Sequence, residues 1–452
     1  MKRPYASYPC RLQLSLSKRA AAAFFACLLL MMALLAGPAS AADESAQAPS
    51  GPLQLLAKSA ILMDAETGQV LYEYNADQPL PPASMAKMMT EYLVLKAVKA
   101  GKLKWDDVVT VQDNASKQIG SKVYLAKGDK HTVKDLYIAV AVGSANDAAA
   151  QLAETVAGSE ENFAKLMNET AKQLGMKTAH FINATGLDRA DMPEAYRPTS
   201  IDGETEMSAR DAAILAYHIL KEEPEFLEYS SIQSRKFRPT DKDPMVNWDW
   251  MLASNKDVPN FRKFAYPGVD GLKTGHTTRA GNCFTGTSLQ NGIRLIAVVM
   301  GVPGDTYNGQ RFLETAKLFD YGFHNFEKKT LLDAKSAVPG HEKFKVKSGK
   351  SRTVPVVTAQ DITMLVPKGQ APSLAVKSVA GEDKPLQAPV KTGDKVGSVT
   401  YTYTDPALKQ TKEITVDLIA AEDDGKASWL TLMFRGIGGF FAGLFKGIVN
   451  LF

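Results

Sequence analysis

A β-strand with an unusual set of side chains is predicted where the sequence runs Val269-Asp270-Gly271-Leu272-Lys273-Thr274-Gly275-His276-Thr277. Alternate residues of a strand share one face, so Lys273 and Gly275 lie together, and Thr274 points to the other face unless a bulge or an edge re-aims it. Gly275 has no side chain, which lets another peptide lie against the strand. The stretch therefore predicts a strand edge that combines a cation, a hydroxyl and an open surface.

The elements around this strand predict an antiparallel sheet surrounded by helices. Two hairpins are indicated, one from Lys58 to Tyr74 and one from Asn282 to Met300, the second turning at Asn291-Gly292. Helical periodicity is found at Glu160 to Leu174, at Ser208 to Leu220 and at Arg311 to Phe326. We therefore expect an α/β fold of the α+β kind, in which the two ends of one domain form the sheet.

The motif Ser84-Met85-Ala86-Lys87 supplies a nucleophile and a base. A serine hydroxyl is a weak nucleophile at neutral pH and needs a neighbouring base to take its proton. Prolines before Ser84 and a helix-forming run after it place the serine at a helix start, where residues i and i+3 share a face. Lys87 can accept the proton if its amine is neutral, and both burial and a nearby Lys273 would lower its pKa. The backbone N–H of Ser84, unpaired at the helix start, can stabilise an oxyanion.

The second motif in chain order, between the serine–lysine motif and the strand motif at Lys273, is Ser144-Ala145-Asn146; it follows an apolar helical run that ends at Gly143, and another helix starts at Asp147. It is therefore interpreted as a loop between helices that presents its side chains. Each short motif alone occurs by chance, but the three in this order indicate an acyl-transfer enzyme. A second Lys-Thr-Gly, at Lys391-Thr392-Gly393, lies among turn residues without partner motifs and is interpreted as a structural turn.

At these motifs the chain resembles the penicillin-interacting serine enzymes, and more narrowly the low-molecular-mass D-alanyl-D-alanine carboxypeptidases. Ala145 is similar to the form of the motif common among the carboxypeptidases, whereas many relatives in the wider superfamily carry aspartate there. The segments that resemble the family are Ala60 to Leu71, Pro82 to Thr90, Asn183 to Leu187 and Val269 to Thr277. The resemblance extends over essentially the whole mature chain, and it implies the penicillin-binding fold.

The resemblance, together with the motif geometry, implies a role for each residue in removing the terminal D-alanine from a peptidoglycan stem pentapeptide. Ser84 would attack the penultimate D-alanine carbonyl while Lys87 accepts its proton, and Ser144 would relay a proton to the departing amine. By resemblance, the backbone N–H of His276 would help to hold the oxyanion. The expected substrate-binding residues are Asn146 for the substrate amide, Gly275 along the strand, Lys273 for positive potential, and Thr274 with Arg311 for the terminal carboxylate. Arg311 could instead be a solvated charge at the start of its helix. The resemblance also implies that β-lactam antibiotics acylate Ser84.

Three other functions are compatible with the same motifs. A class A β-lactamase needs a glutamate to activate the deacylating water, and no Glu-x-x-Leu-Asn sequence follows the second motif. A DD-endopeptidase would apply the same chemistry to cross-linked peptides. A catalytically silent cell-wall scaffold is disfavoured because every proposed chemical group is present.

Composition agrees with an exported enzyme that needs no cofactor or metal. The formal net charge of +4 is too small to indicate nucleic-acid binding, and the histidines show no metal-ligand spacing. Basic residues precede the apolar run Ala20 to Ala36, and Ala39-Ser40-Ala41 offers a cleavage site, so residues 1–41 are interpreted as a secretory signal rather than an uncleaved anchor. Cleavage would leave Cys283 as the remaining cysteine, in a strand context that favours a buried apolar residue over a nucleophile.

A chain of 452 residues is longer than a single hydrophobic core usually supports, so we expect more than one domain. The peptidase domain is predicted at 53–328, and short alternating stretches at 329–424 predict a small all-β domain that serves as a pedestal or an interaction surface. Residues 428–452 place Leu430 and Phe434 on one helical face and Arg435 and Lys446 on the other. This pattern predicts an amphipathic helix in the interface of the cytoplasmic membrane, on its outer side, with the cations toward the headgroups. A spanning helix would bury both cations, and a partner-binding helix is the remaining alternative.

Overall fold

The computed structural model describes residues 52–370, 372–405, 408–435 and 437, so the predicted secretory signal lies outside the described residues. The helices are α1 (Lys87–Lys99), α2 (Asp113–Lys117), α3 (Val133–Gly143), α4 (Asn146–Ala157), α5 (Glu160–Gln173), α6 (Ala209–Glu222), α7 (Phe226–Ser230) and α8 (Gln310–Asn325). The strands of the N-terminal domain are β1 (Ser59–Asp64), β2 (Val70–Tyr74), β3 (Val108–Thr110), β4 (Lys130–Thr132), β5 (Ser234–Arg235), β6 (Met245–Val246), β7 (Val269–Thr277), β8 (Gly281–Gln290) and β9 (Ile293–Val302). Those that follow are β10 (Phe326–Leu332), β11 (Lys343–Lys347), β12 (Thr353–Thr358), β13 (Ile362–Pro367), β14 (Ala375–Ala380), β15 (Leu386–Gln387), β16 (Lys395–Thr404) and β17 (Thr411–Ala420).

The central sheet is built from the two ends of the N-terminal domain, as predicted. Its strand order is β2-β1-β9-β8-β7, and every neighbouring pair is antiparallel. The β8–β9 hairpin turns at Asn291 and Gly292, whose φ angles of 50° and 78° are those of a turn that matches the twist of the flanking strands. Strand β7 forms an edge of this sheet, so one side of it is not covered by another strand of the sheet.

Both faces of the central sheet are buried. In β1, Ile61 and Met63 belong to the apolar core shared with α1, α3, α4, α5 and α6, whereas Ala60 and Leu62 belong to the core shared with α8. Successive side chains of a strand point to opposite faces, so a strand covered on both sides is apolar throughout rather than alternating. The expected mixed fold, with helices around an antiparallel sheet, is confirmed.

Two helix starts follow from local sequence. Helix α6 begins after Ser208, whose hydroxyl accepts the N–H of Asp211, while the Asp211 carboxylate accepts the N–H of Ser208. This reciprocal pair satisfies two of the N–H groups that a helix start leaves unpaired. Helix α8 buries Phe312 and Phe319 against the sheet, and this packing holds Arg311 behind strand β7.

The all-β C-terminal domain is also present, and its first strand begins at Phe326 rather than near Lys329 because α8 passes directly into β10. Strands β10 and β13 pair with each other, and the larger sheet has the order β14-β16-β17-β12-β11-β15. The second Lys-Thr-Gly copy forms a turn in this domain. Its Thr392 donates from the backbone N–H and from the hydroxyl to Asp423, and Gly393 has a φ of 89°.

One buried side chain joins the two domains. Gln69, between β1 and β2, donates from Nε2 to the carbonyl oxygen of Leu365 at 2.9 Å and accepts the Leu365 N–H at 3.1 Å. The Leu365 side chain packs in the core beside α8. Because both halves of a buried amide are satisfied by one residue of β13, this contact fixes β13 against the first hairpin.

Candidate active site

Ser84 lies in a 3₁₀ turn, Ala83–Ala86, that leads directly into α1. In a 3₁₀ turn residues i and i+3 eclipse, and Lys87 Nζ lies 2.9 Å from Ser84 Oγ. The helix start predicted from the sequence is therefore present, although its first turn is 3₁₀ rather than α. Ala83 has a φ of 49°, a left-handed conformation that a non-glycine residue keeps only where its surroundings hold it.

The Lys87 amine is fully buried and has one fixed partner besides Ser84. It donates to the carbonyl oxygen of Thr185 at 2.7 Å. That carbonyl is held in place because Asn183 Oδ1 accepts the N–H groups of Thr185 and Gly186. Gly186 has a φ of 78°, and a Cβ on it would collide with the carbonyl oxygen of Ala83, so the close approach of this segment requires glycine.

Burial and a second cation act together on Lys87. Burial is the largest cause that lowers the pKa of Lys87 well below its ordinary value, and the neighbouring Lys273 ammonium lowers it further. Burial also lowers the pKa of Lys273, while Glu91 acts in the opposite direction. The effect is to favour an uncharged amine beside Ser84, which is the state a general base requires.

The second motif meets the strand through Ser144, which lies between α3 and α4 with a φ of 55°. Lys273 Nζ lies 2.9 Å from Ser144 Oγ, so one side chain from the second motif contacts one from the third. Asn146 is the first residue of α4, and its Nδ2 donates to the carbonyl oxygen of Ile119 at 2.5 Å. Asn146 Oδ1 has no hydrogen-bond partner among the described residues.

A cavity of about 340 Å³ opens in front of these residues. Its lining consists of Ser84, Gly120, Ser121, Ser144, Trp248, Thr274, Gly275, His276, Thr306, Tyr307 and Arg311. Six of the residues singled out from the sequence are thus on its wall. Strand alternation placed Thr274 on the opposite face from Lys273 and Gly275, but it reaches the cavity because β7 is an edge strand. Lys87, Asn146 and Lys273 do not line the cavity and lie buried behind it.

Gly275 serves a purpose that strand periodicity did not suggest. A Cβ on this residue would collide with the carbonyl oxygen of Pro82, and it would also lie 3.1 Å from the backbone nitrogen of Met85. The absence of a side chain therefore allows β7 to approach the turn that carries Ser84. Room for a substrate along the strand edge, the purpose expected from the sequence, stays a prediction.

Arg311 is only 2% exposed, which excludes a freely solvated surface charge. Its Nη1 donates to the carbonyl oxygen of Gly275 at 3.2 Å and to Asn282 Oδ1 at 3.3 Å. Burial lowers the pKa of Arg311 to about 10, so the guanidinium remains charged at neutral pH. His276 is exposed at the cavity wall, and partial desolvation of its ring, followed by the Arg311 charge, lowers its pKa.

Several residues at the site were missed from the sequence. Trp248 and Tyr307 line the cavity with ring centroids 6.1 Å apart, but no motif marks them. Glu91 is 1% exposed, its Oε2 has no hydrogen-bond partner within the described part of the chain, and burial raises its pKa while Lys273 and Lys87 oppose that shift. The signal for Glu91 was available, since it follows Lys87 by four residues in an otherwise apolar helical run.

Cys283 is fully buried in β8, and burial raises the pKa of its thiol to about 11. The thiol is therefore protonated at neutral pH and is a poor nucleophile. Among the described residues, no group of three or more His, Cys, Asp or Glu side chains is arranged to hold a metal ion.

A serine paired with a buried lysine, with a second lysine–serine pair on a sheet edge, is the arrangement of the penicillin-interacting serine enzymes. The model of the family described as D-alanyl-D-alanine carboxypeptidase matches residues 43–304, and that of the C-terminal domain of penicillin-binding protein 5 matches residues 326–426. The chain belongs to the D-alanyl-D-alanine carboxypeptidase family.

Several known proteins are similar to this chain over most of its length. The D-alanyl-D-alanine carboxypeptidase DacF of Bacillus subtilis is 35% identical over 84% of this chain and 89% of its own length. The crystal structure of penicillin-binding protein 5 from Haemophilus influenzae is similar with a TM-score of 0.64 and 32% identity, covering 83% of this chain and 100% of that one. Penicillin-binding protein D2 of Listeria monocytogenes, in a cefotaxime-bound form, matches with a TM-score of 0.50 and 33% identity over 61% of this chain and 100% of that one.

Proposed function

We propose that Ser84 is the residue acylated when this enzyme removes the terminal D-alanine from a peptidoglycan stem pentapeptide. The observation that carries the proposal is the 2.9 Å distance between Ser84 Oγ and the buried Lys87 Nζ at the wall of an open cavity. Oγ bonds to the carbonyl carbon of the penultimate D-alanine while neutral Lys87 takes the hydroxyl proton. The backbone N–H groups of Ser84 and His276 hold the oxyanion that forms.

The second half of the reaction uses Ser144 and Lys273. As the peptide bond breaks, Ser144 relays a proton to the amine of the departing D-alanine, and Lys273 holds the Ser144 hydroxyl at 2.9 Å. Water then attacks the acyl-enzyme ester and restores the Ser84 hydroxyl. A β-lactam carbonyl undergoes the same attack, and the cefotaxime-bound form of the Listeria relative supports this extension to the antibiotics.

Substrate position is set from two sides of the cavity. Asn146 lies just behind the cavity wall, and its Oδ1, which lacks a partner within the described residues, is the acceptor for the N–H of a substrate amide. Thr274 and Arg311 bind the terminal carboxylate, since both line the cavity and Arg311 carries its charge in a largely water-free position. The substrate is therefore selected by its free carboxylate.

This selection gives the test of the proposed function. The purified enzyme should release D-alanine from a synthetic pentapeptide with a free carboxylate, with kcat/KM about 10- to 100-fold higher than for the same peptide as its C-terminal amide, because a hydrogen bond to a charged group is lost in the amide. Chromatographic measurement of D-alanine and D-alaninamide gives both rates. Equal rates for the two peptides would contradict the carboxylate site, and faster cleavage of a cross-linked muropeptide dimer would indicate an endopeptidase instead.

We further infer that the mature enzyme is exported and attaches peripherally to the outer face of the cytoplasmic membrane. Most of the predicted amphipathic helix lies outside the described residues, but its first residues, 429–435, are helical. Trp429 and Phe434 are 74% and 62% exposed there. Within the described residues, no helix has the length and apolar content needed to cross a membrane. Exposed aromatic side chains at this end support attachment at the membrane interface.

Deletion of Ser428 to Phe452 is expected to release the enzyme into the soluble fraction with its D-alanine release unchanged, because the described residues of this segment, 428–435 and 437, do not line the cavity. Membrane fractionation of cells, followed by the pentapeptide assay on each fraction, measures both properties. An enzyme that stays with the membrane after signal cleavage would refute the anchor.

A further inference from the structure

A stripe of lysines, defined here as Lys343, Lys345 and Lys347, lies on the outer face of strand β11. The three side chains are exposed and alternate with Phe344 and Val346, which are buried in the core of the all-β domain. Successive members are about 7 Å apart along the strand. The period-two pattern thus places three cations in one row.

The lysine stripe makes no ion pair with the rest of the described chain, although the Lys343 charge acts on the neighbouring Glu342 carboxylate. Other lysines of the domain do, such as Lys377 with Glu413 and Lys395 with Asp417, but no member of the stripe lies within ion-pair distance of a carboxylate among the described residues. The adjacent Glu342 accepts the N–H of Gly340. Three exposed like charges in a row repel one another, and an anionic partner would relieve this repulsion.

The C-terminal segment is fastened to the end of the same strand. The N–H of Ala427 donates to the carbonyl oxygen of Ser348, the residue that follows Lys347, at 2.9 Å. Arg435 then donates to the carbonyl oxygens of Gly349 and Lys350 at 2.8 and 2.6 Å. Arg435 is therefore turned toward the protein and not toward headgroups, contrary to the expectation from the sequence, because the exposed carbonyls of this turn lie within its reach.

The strand that carries the lysine stripe therefore ends beside a segment with exposed apolar side chains. Besides Trp429 and Phe434, the exposed apolar side chains on residues 429–437 are Leu430, Leu432, Met433 and Ile437. A soluble anionic polymer would satisfy the lysines but leave these apolar side chains in water. A bilayer with anionic headgroups satisfies both, since its phosphates lie directly outside its apolar layer.

We propose that the lysine stripe and the first residues of the C-terminal segment form one docking face for a membrane that contains anionic phospholipids. The inference rests on the proposed membrane attachment and adds to it a lipid preference carried by the all-β domain. The lysines bind headgroup phosphates while the adjacent aromatic and aliphatic side chains enter the interface. The contact of Arg435 with the β11–β12 turn holds the first residues of the C-terminal segment in a fixed position relative to the lysine stripe.

The test compares two triple variants of the full mature chain on vesicles of phosphatidylcholine, with and without phosphatidylglycerol. Replacement of Lys343, Lys345 and Lys347 by glutamine should weaken binding to the anionic vesicles on the order of 100-fold, with binding to neutral vesicles and β-lactam acylation unchanged. Replacement of Lys102, Lys104 and Lys130, which are exposed in the N-terminal domain, makes the same change in net charge and should have little effect. Vesicle sedimentation at low and at physiological salt measures the binding of each variant to each kind of vesicle.

The outcomes separate this inference from the proposed attachment. If the unmodified enzyme binds neither vesicle, the membrane attachment itself is wrong. If it binds both but shows no preference for anionic vesicles, or if both triple variants lose the preference equally, attachment stands and the docking face is refuted. Loss of binding to a soluble polyphosphate by the Lys343, Lys345 and Lys347 variant, with vesicle binding intact, would assign the stripe to an anionic polymer and also overturn the inference.

Discussion

Replacement of Ser84 with alanine is expected to abolish covalent labelling by penicillin and to lower D-alanine release by at least about 10⁴-fold. The reason is that Ser84 Oγ is the hydroxyl within 2.9 Å of the buried Lys87 amine, and no acyl-enzyme can form without it. Mass spectrometry of the penicillin-treated enzyme and of its peptides measures the label and locates it. The fold should be retained, because the change removes one partly exposed hydroxyl.

The matched control is Ser254→Ala, the same change at an exposed serine that does not line the cavity. It should be labelled like the unmodified enzyme. A Ser84→Ala protein that still carries penicillin on another residue would move the nucleophile elsewhere, and one that is unlabelled but fully active in cells would revive a scaffold function.

Replacement of Lys87 with methionine is expected to lower the rate of acylation by about 10²- to 10⁴-fold, the usual contribution of a general base. Methionine matches the buried hydrocarbon of lysine but cannot take a proton. The unmodified enzyme should lose acylation rate as the pH falls, because Lys87 is active only when uncharged, above its pKa. Burial and Lys273 lower that pKa, so activity should persist at neutral pH.

Stopped-flow acylation across a pH series measures the effect, and the Lys87→Met variant should lack the acid-side loss that the unmodified enzyme shows. Lys102→Met, at an exposed lysine just beyond α1, is the control and should keep the full profile. An unmodified enzyme whose acylation rate rises as the pH falls would contradict a lysine base.

Much of the site could be predicted because its parts follow from local rules. The i, i+3 spacing of Ser84 and Lys87 brings their side chains together in either kind of helical turn, and the hairpin turn at Asn291-Gly292 is set by two adjacent residues. The order of the three motifs then indicated the family, and the family model confirms it.

The remainder depends on contacts between distant parts of the chain. The collision that a side chain on Gly275 would cause with Pro82 is invisible to strand periodicity, which describes only one strand at a time. Trp248 and Tyr307 reach the cavity from irregular segments, where no period predicts a side-chain direction. Arg435 was expected to face headgroups, but the carbonyl oxygens that accept its hydrogen bonds lie in a turn between two other strands, which the sequence of its own helix does not reveal.

The Gln69–Leu365 contact has a mechanical consequence. The two hydrogen bonds between the buried Gln69 amide and Leu365, together with a helix that passes directly into β10, resist rotation of the all-β domain on the peptidase domain. This joint then fixes the distance between the cleft and residues 427–435, which are hydrogen-bonded to the all-β domain. If those residues rest on a bilayer, only strands of wall polymer at one set height come within reach of Ser84, and that height could be altered only by rebuilding the joint.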